Sequence, residues 1–239
     1  MTSLNLASLS SSEKRELLSL LEEKERRKNR RKLFDLYPEA GPLRRELYPK
    51  HMQFFAGGQQ HMERCMMAAN RVGKTWGVGG YETALHLTGL YPEWWVGRRF
   101  DHPIEAWVAG DTLTTTRDIV QVALMGSVGQ FGTGLIPGDA LLGNPVMKSG
   151  VPGAVDYARV THSSGGTSVV GFKSYDQGRK TFQGTAKHVA WLDEEPAEDV
   201  YDECMMRLAT TNGIMLTTFT PLLGLSKVAL KFLPDLAPA

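Results

Sequence analysis

The sequence predicts an α/β domain built on a mainly parallel β-sheet. From residue 50 onward, short apolar runs that end in Gly- or Asp-containing turns alternate with helix-like stretches. One apolar run leads into a Gly-Lys-Thr loop, and a second ends in an Asp-Glu pair. Because strands that alternate with helices are typical of parallel sheets with crossover helices, we expect helices to flank this sheet.

A charged helical segment and a linker are predicted over residues 1–40. Ser10 and Glu13 have the spacing of a capping box, and four leucines between residues 17 and 21 follow at helical spacing. Residues 22–32 contain no apolar side chain, so this part of the helix has no face to bury. We therefore expect an exposed or partner-facing helix. A solvated helix without a partner and a helix that binds nucleic-acid phosphate or an acidic partner remain open alternatives.

The elements of the sheet are predicted within residues 41–239, which we assign to one domain. Strands are expected at residues 64–69, 104–109, 155–161, 167–172, 188–192 and 214–219. Helices are expected at residues 75–87, 112–125 and 197–209. Residues 126–153 are rich in Gly and Pro, so we expect them to be mostly loop. A Ser-Ser-Gly-Gly turn should join the third and fourth strands into a hairpin.

Composition and charge exclude several classes of protein. The chain has 239 residues, of which 42% are hydrophobic and 22% charged, as in globular domains and unlike disordered chains. The formal net charge is +1, but residues 1–36 hold nine basic and six acidic side chains while the remainder holds 18 and 20. Cys65 and Cys204 lack the spacing of a zinc site, and no apolar run approaches the length of a membrane span. We expect a soluble intracellular protein. Because its total charge is near zero, affinity for nucleic acid cannot be inferred from that total.

A phosphate-binding loop is predicted at residues 68–75 (AANRVGKT), between an apolar strand and a helix. Backbone N–H groups at the start of a helix form a cradle for anions, and the permissive φ of glycine lets the backbone approach a phosphate. Lys74 is expected to bind the β- and γ-phosphates, and the Thr75 hydroxyl to bind Mg²⁺. The nucleotide-binding residues of this loop are predicted to be Ala69, Asn70, Arg71, Val72, Gly73, Lys74 and Thr75. Ala68 stands where the usual pattern has its first glycine.

An acidic pair follows the apolar residues 188–192. Because ligands bind at the C-terminal ends of parallel strands, Asp193 is expected to hold Mg²⁺, directly or through water. Glu194 is expected to be the general base that orients and deprotonates an attacking water. These acids could instead complement only the dipole of the following helix, and we assign Glu195 to that role or to a partner contact. The Gly-Lys-Thr loop in the same chain favours the catalytic interpretation of Asp193 and Glu194.

Three more polar residues are candidates for nucleotide contacts. Thr218 and Thr220 follow a strand and could sense the γ-phosphate, although a threonine-rich strand end without that role is an alternative. Gln53 precedes the loop by about one β-unit, and its amide could read the adenine edge. The alternative for Gln53 is a place at the start of an amphipathic helix. Together these residues predict a site for ATP and Mg²⁺.

The ordered set of motifs resembles the ATPase domain of the large terminase subunit of tailed bacteriophages and prophages. The motifs are Tyr48 with Gln53, and residues 68–75, 107–109, 114–117, 178–184, 188–194 and 218–221. Many NTPases share the Gly-Lys-Thr loop and the Asp-Glu pair, whereas the loop arginine, the motif at 178–184 and the Thr-Phe-Thr-Pro strand end are more specific. The resemblance implies a P-loop NTPase fold of the RecA/ASCE-like kind, with a mainly parallel sheet flanked by helices and a charged N-terminal helix.

The same resemblance implies a magnesium-dependent ATP hydrolase that drives double-stranded DNA into a procapsid in the host cell cytoplasm. Its expected partners are the portal protein, the small terminase subunit and further copies of the chain in a ring. Arg71 would contact phosphates as the loop arginine, and Thr218–Thr220 would couple hydrolysis to movement. The candidates for an arginine that acts in trans are Arg98, Arg99, Arg117 and Arg179. No Asp cluster of the C-terminal nuclease domain follows Glu203, so we expect no nuclease activity from this chain.

Two other functions remain open at the level of sequence. A helicase or remodelling ATPase would share the loop and the acidic pair, but it would normally need a second RecA-like domain. A nucleotide-binding module without turnover would be compatible with Ala68 in place of glycine.

Overall fold

A seven-stranded sheet forms the centre of the structure. The computed structural model describes residues 10–29, 31–222, 224, 226–233 and 235. The strands are β1 (Glu63–Met67), β2 (Glu105–Gly110), β3 (Val146–Met147), β4 (Val155–Thr161), β5 (Thr167–Ser174), β6 (Val189–Asp193) and β7 (Ile214–Phe219). Their order across the sheet is β1-β7-β6-β2-β5-β4-β3. The strands from β1 to β5 in this order run parallel, and β4 and β3 are antiparallel to their neighbours. The predicted mainly parallel α/β fold is confirmed.

Helices connect the strands and cover both faces of the sheet. They are α1 (Ser11–Asn29), α2 (Pro49–Gly57), α3 (Tyr81–Thr88), α4 (Leu113–Thr115), α5 (Val122–Met125), α6 (Glu198–Ala209) and α7 (Lys227–Lys231). A π-helical segment, Lys74–Gly80, leads into α3, and another, Thr116–Gln121, joins α4 to α5. Short 3₁₀ helices lie at Lys32–Phe34, Arg45–Leu47, Tyr175–Gln177 and Arg179–Phe182. The three predicted helices of the sheet domain are therefore present. Helix α2 contains Gln53, as in the alternative of an amphipathic helix at that position. Helix α7 is not among the predicted elements.

The strand order brings three parts of the chain to one edge of the sheet. Strand β7 lies between β1 and β6, so that Thr218 is opposite both Met66 of β1 and Asp193 of β6. Because these strands are parallel, the segments that follow them leave the sheet at the same edge. The Gly-Lys-Thr loop, the acidic pair and the threonines of the strand end are thereby brought together.

Two layers of core separate the sheet from its helices. Along β6, Val189 and Trp191 pack into one layer with α3 and α5, while Ala190 and Leu192 pack into the other with α6 and α7. This alternation follows from the two-residue period of a strand buried on both faces. Leu33 and Tyr37, which belong to the predicted N-terminal segment, are buried in the first layer.

A buried charge network fixes the strand before the loop to the helix after it. The Arg64 guanidinium of β1 forms two hydrogen bonds to the Glu82 carboxylate of α3, at 2.7 and 3.1 Å. Nε2 of His86 lies 3.2 Å from the same carboxylate, and all three side chains are buried. The neighbouring Arg64 guanidinium is among the groups that lower the pKa of Glu82 against the opposing effect of burial. A buried carboxylate paired with a guanidinium in this way holds β1 and α3 in a fixed relation.

The N-terminal helix α1 presents its leucines to solvent. Leu18, Leu20 and Leu21 are all more than half exposed, at 57%, 61% and 53%. The capping box is present, because Ser10 N donates to Glu13 Oε2 and Glu13 N donates to Ser10 Oγ. Among the described residues, no helix has the length and apolar character needed to cross a membrane.

Candidate active site

The loop between β1 and the π-helical segment turns sharply at two residues with positive φ. Gly73 has φ 86° and immediately precedes the helix, and Arg71 has φ 65°. The carbonyl oxygen of Gly73 accepts from both Gly77 N at 2.7 Å and Val78 N at 3.2 Å. The helix therefore begins in the loop, which directs its first N–H groups to the mouth of the loop.

Lys74 lies beneath this loop and is 7% exposed. Its ammonium donates to the carbonyl oxygens of Ala68 at 2.9 Å and Ala69 at 2.8 Å, and to Oγ1 of Thr220 at 2.8 Å. Oγ1 of Thr220 also lies 2.9 Å from Oδ1 of Asn70. The Lys74 ammonium thus connects the end of β7 to the loop. It could exchange its present carbonyl and hydroxyl acceptors for the oxygens of a phosphate.

Two hydroxyl groups contact the Asp193 carboxylate, and an indole supports one of them. Thr75 Oγ1 lies 3.1 Å from both carboxylate oxygens, and Thr218 Oγ1 donates to Oδ1 at 2.7 Å. Trp191 Nε1 in turn donates to Thr218 Oγ1 at 2.8 Å. Burial raises the pKa of Asp193 to about 6, against the opposing effects of its hydrogen bonds to Thr218 and Thr75. A hydroxyl and a carboxylate in contact supply the oxygen ligands that Mg²⁺ prefers.

Glu194 has a strained backbone and an exposed side chain. Its φ is 67°, and its N–H donates to the Thr218 carbonyl at 3.0 Å. A left-handed conformation at a non-glycine residue costs on the order of 1–3 kcal/mol and is concentrated at functional sites. Partial desolvation by the neighbouring chain raises the pKa of the Glu194 carboxyl, Lys74 opposes this effect, and Asp111 adds to it. The result is a carboxylate beside the lysine whose basicity exceeds that of an ordinary glutamate.

Tyr37 and His51, which are not among the predicted site residues, support the loop through hydrogen bonds. The Tyr37 hydroxyl donates to the Gly77 carbonyl at 2.6 Å and lies 2.7 Å from Nδ1 of His51. The His51 ring also forms a hydrogen bond with the backbone of Val72, and burial lowers its pKa. Tyr37 and His51 therefore connect the middle of the loop to the helix that follows it. Single residues far apart in the sequence carry no pattern that could reveal this contact.

A cleft of about 1040 Å³ opens between α2 and β1, next to the loop. Gln53, Ala68 and Val72 are among its lining residues, so the structure brings Gln53 to the side of the loop. Gln53 is exposed, and its amide oxygen lies 3.5 Å from Nζ of Lys50. Arg71 is also exposed, and it forms no hydrogen bond or ion pair within the described part of the chain.

The predicted site residues fall into an inner and an outer group. In the inner group, Lys74 contacts Thr220. The next residue along the chain, Thr75, contacts Asp193, which also accepts a hydrogen bond from Thr218. Thr218 is fully buried beneath Asp193, whereas Thr220 reaches the loop. Glu194, Arg71 and Gln53 lie at the exposed margin of this set. Their roles toward a nucleotide remain predictions.

The arginines considered for action in trans make their described contacts elsewhere. Arg179 pairs with Glu203 at 2.7 Å, and Arg117 pairs with Asp118 at 2.7 Å. Arg98 and Arg99 lie over the rings of Phe100 and Tyr91, respectively. These contacts leave the choice among the four arginines open.

Two solved structures of large terminases are similar to this chain. One is the large terminase ATPase domain of Thermus phage P74-26, with 18% identity over 70% of this chain and 63% of that one and a TM-score of 0.45. The other is the large terminase of a thermophilic bacteriophage in complex with ADP, with 13% identity over 80% of this chain and 50% of that one and a TM-score of 0.46.

Sequence comparison gives a family assignment. The terminase large subunit of Salmonella phage P22 is 35% identical over 96% of this chain, and the chain spans about half of that relative, 48% of its length. Residues 65–238 match the family model of the T4likevirus-type terminase large subunit, N-terminal part. This match includes the Gly-Lys-Thr loop, the acidic pair and the threonine strand end. The chain therefore belongs to the terminase large subunit family.

Proposed function

We propose that this chain is the ATPase domain of a phage DNA-packaging motor, in which hydrolysis of ATP drives double-stranded DNA into a procapsid. The observation that carries the proposal is the contact between Thr75 and Asp193, two residues 118 positions apart that meet at 3.1 Å beside Lys74. This is the constellation that phosphoryl transfer from a nucleoside triphosphate requires. Membership of the terminase large subunit family supports the same function.

The loop has the chemistry to hold the phosphates of ATP. N–H groups of residues 69–73 and the start of the helix would bind the phosphate oxygens, and Lys74 would neutralise part of their charge. Arg71 is placed at the exposed rim, where its guanidinium could contact phosphate oxygens. Gln53 on the wall of the adjacent cleft would recognise the base.

The donor set also fits Mg²⁺. Thr75 Oγ1 and the Asp193 carboxylate would hold the ion, directly or through water, since both are oxygen ligands already in contact. Bound there, Mg²⁺ would offset charge on the phosphates during transfer. Thr218 holds the carboxylate in place through its hydrogen bond to Oδ1.

Glu194 is proposed as the general base. Its carboxylate would orient the attacking water and accept its proton as the bond from water oxygen to the γ-phosphorus forms and the bond to the β-phosphate oxygen breaks. The raised pKa of Glu194 favours this proton transfer. Lys74 would then stabilise the charge that develops on the leaving phosphate.

Strand β7 connects the site to the rest of the molecule. Thr220 contacts Lys74, and the chain beyond it leads to α7, whose Lys227 and Lys231 pair with Glu198 and Asp202 of α6. We propose that this strand end couples the state of the nucleotide to movement. The proposed partners are DNA, the portal protein, the small terminase subunit and neighbouring copies in a ring that supply an arginine in trans, at the procapsid in the host cytoplasm.

Substitutions of Lys74 and Glu194 test the proposal. We expect Lys74→Ala to weaken ATP binding and abolish hydrolysis, and Glu194→Gln to retain binding but lose hydrolysis by on the order of 100-fold or more. Binding is measured with a fluorescent ATP analogue, and hydrolysis as phosphate release with Mg²⁺ and DNA present. The matched controls are Lys231→Ala and Glu198→Gln, which alter exposed ion pairs away from the site. Hydrolysis by Glu194→Gln at the parent rate would exclude Glu194 as the base, and no ATP binding by the parent chain would overturn the whole proposal.

A further inference from the structure

We propose that Tyr175 is a positioning residue for hydrolysis, because its hydroxyl holds the backbone turn that aims the Glu194 carboxylate. The hydroxyl donates toward the carbonyl oxygens of Asp193 at 3.0 Å and Glu194 at 3.1 Å, and it lies 3.5 Å from the Ala109 carbonyl. One side chain thus contacts the ends of β6 and β2 from its own place after β5. The inference rests on the proposed role of Glu194 as general base.

The turn at Glu194 needs external support. Its φ of 67° is a conformation that a glutamate adopts only when the surrounding structure holds it. One support is the hydrogen bond from Glu194 N to the Thr218 carbonyl at 3.0 Å. The Tyr175 hydroxyl supplies the other, at the carbonyl of the same residue. The two bonds fix both ends of the residue and leave its side chain exposed.

The direction of the Glu194 side chain depends on this backbone. Within the described residues, no hydrogen bond or ion pair holds the Glu194 carboxylate itself. Because no contact holds the carboxylate, a rotation of the Glu194 backbone moves the carboxylate oxygens further than it moves the backbone atoms. A displacement of about 1 Å at a reacting group can reduce a rate by on the order of 100-fold. The Tyr175 hydroxyl therefore controls the position of the base without touching the reacting atoms.

The Tyr175 hydroxyl can be removed while the rest of the side chain is kept. The ring packs against the core layer that contains α6 and α7, so a phenylalanine at this position would keep the apolar contacts. Removal of the oxygen atom alone therefore isolates the contribution of the hydroxyl.

The test is Tyr175→Phe in the whole chain, with Tyr201→Phe as its matched control. The Tyr201 hydroxyl is also a hydrogen-bond donor, but its acceptor is the Glu63 carboxylate, and Tyr201 lies in α6 away from the loop. We expect Tyr175→Phe to lower kcat by on the order of 10- to 100-fold, with KM, the Kd for ATP and the thermal unfolding midpoint close to those of the parent. Tyr201→Phe should leave kcat unchanged.

The outcomes separate this inference from the proposed function. If Glu194→Gln is inactive while Tyr175→Phe turns over at the parent rate, the positioning role is excluded and the function stands. If Tyr175→Phe lowers kcat only together with a large rise in KM or a fall in the unfolding midpoint, the residue is a structural support and the inference is also overturned. If Glu194→Gln retains the parent rate, the proposed base is wrong and the positioning role falls with it.

Discussion

Asp193 shows at the scale of one residue that a group proposed to bind a ligand can oppose the stability of its own fold. The carboxyl is 3% exposed, and burial raises its pKa to about 6 from the usual 3.8. Two hydroxyls hold the group in place, but they do not fully replace its hydration. In the absence of nucleotide, the ionised Asp193 carboxylate therefore has a higher free energy in the folded chain than in the unfolded chain. This loss of stability accompanies the fixed position of an oxygen atom that is proposed to bind Mg²⁺.

A pH-dependent stability follows from this shift. Because the folded-state pKa is raised, the folded chain binds more protons than the unfolded chain between about pH 4 and pH 6, so the free energy of unfolding falls as pH rises through that window. At roughly 1.36 kcal/mol per pKa unit, the loss is about 3 kcal/mol above pH 6. We expect Asp193→Asn to be more stable than the parent at pH 7.5 and equally stable near pH 4, in urea unfolding without Mg²⁺ or nucleotide. An asparagine variant that is less stable than the parent at pH 7.5 would contradict this account.

At the scale of elements, the π-helical segment Lys74–Gly80 is shaped by packing and not by propensity. A Cβ built on Gly79 would lie 2.0 Å from Nε1 of Trp191, and one on Gly77 would lie 2.7 Å from the Tyr37 hydroxyl. The absent side chains let the helix approach Trp191, whose indole supports Thr218 and through it Asp193. Gly79 thus connects the geometry of the helix to that of the Asp193 carboxylate, the proposed ligand of Mg²⁺.

Gly79→Ala tests this connection. Helix propensity alone favours alanine by about 1 kcal/mol, so propensity predicts a gain in stability. We expect the opposite, a loss of about 1–3 kcal/mol in urea unfolding together with slower ATP hydrolysis, because the Trp191 indole must move. Gly57→Ala is the control, since its Cβ would meet Arg64 Cδ at an ordinary 3.4 Å. If Gly79→Ala were as stable and as active as the parent, the packing argument would be wrong.

The same elements show how far the sequence predicts this fold. The strand at residues 214–219 has its predicted bounds, because an apolar run flanked by turn residues is a local signal. Helix α2, Pro49–Gly57, is predicted only as the alternative place for Gln53, since the buried face of the helix becomes evident only against β1. The position of β7 between β1 and β6 depends on contacts between distant residues, which no local pattern encodes.

The sequence predicts which residues form the candidate site more fully than it predicts which of them contact each other. Lys74, Thr75 and Asp193 follow from loop and strand-end chemistry, and the structure brings them together. Thr218 and Thr220 are the same residue type at the same strand end, so the sequence does not distinguish their roles. Their surroundings in the structure nevertheless differ. Thr218 is buried under Asp193 while Thr220 lies beyond the strand, beside Lys74. Side-chain partners of this kind are set by the register of neighbouring strands.

The whole molecule divides its charge between an exposed helix and the sheet domain. Residues 1–30 hold seven basic and five acidic side chains, a net charge of +2 in a chain of net charge +1. Within this segment, Leu18, Leu20 and Leu21 of α1 are exposed. Since Leu33 is fully buried in the sheet domain, the part that can be removed without opening the core ends before it. This boundary makes the contribution of the helix to DNA binding measurable.

Deletion of residues 1–30 tests whether that helix contacts DNA phosphates. We expect the truncated chain to bind double-stranded DNA more weakly, with a log–log salt slope smaller by about 0.9 for each phosphate that the helix no longer neutralises. The control is the double variant Lys227→Gln, Lys231→Gln, which lowers the net charge by the same two units but at side chains already paired with Glu198 and Asp202. Its slope should equal that of the parent, and DNA-independent ATP hydrolysis should be unchanged in both. An unaltered slope after the deletion would exclude phosphate contacts by the helix and place the DNA contacts on the sheet domain.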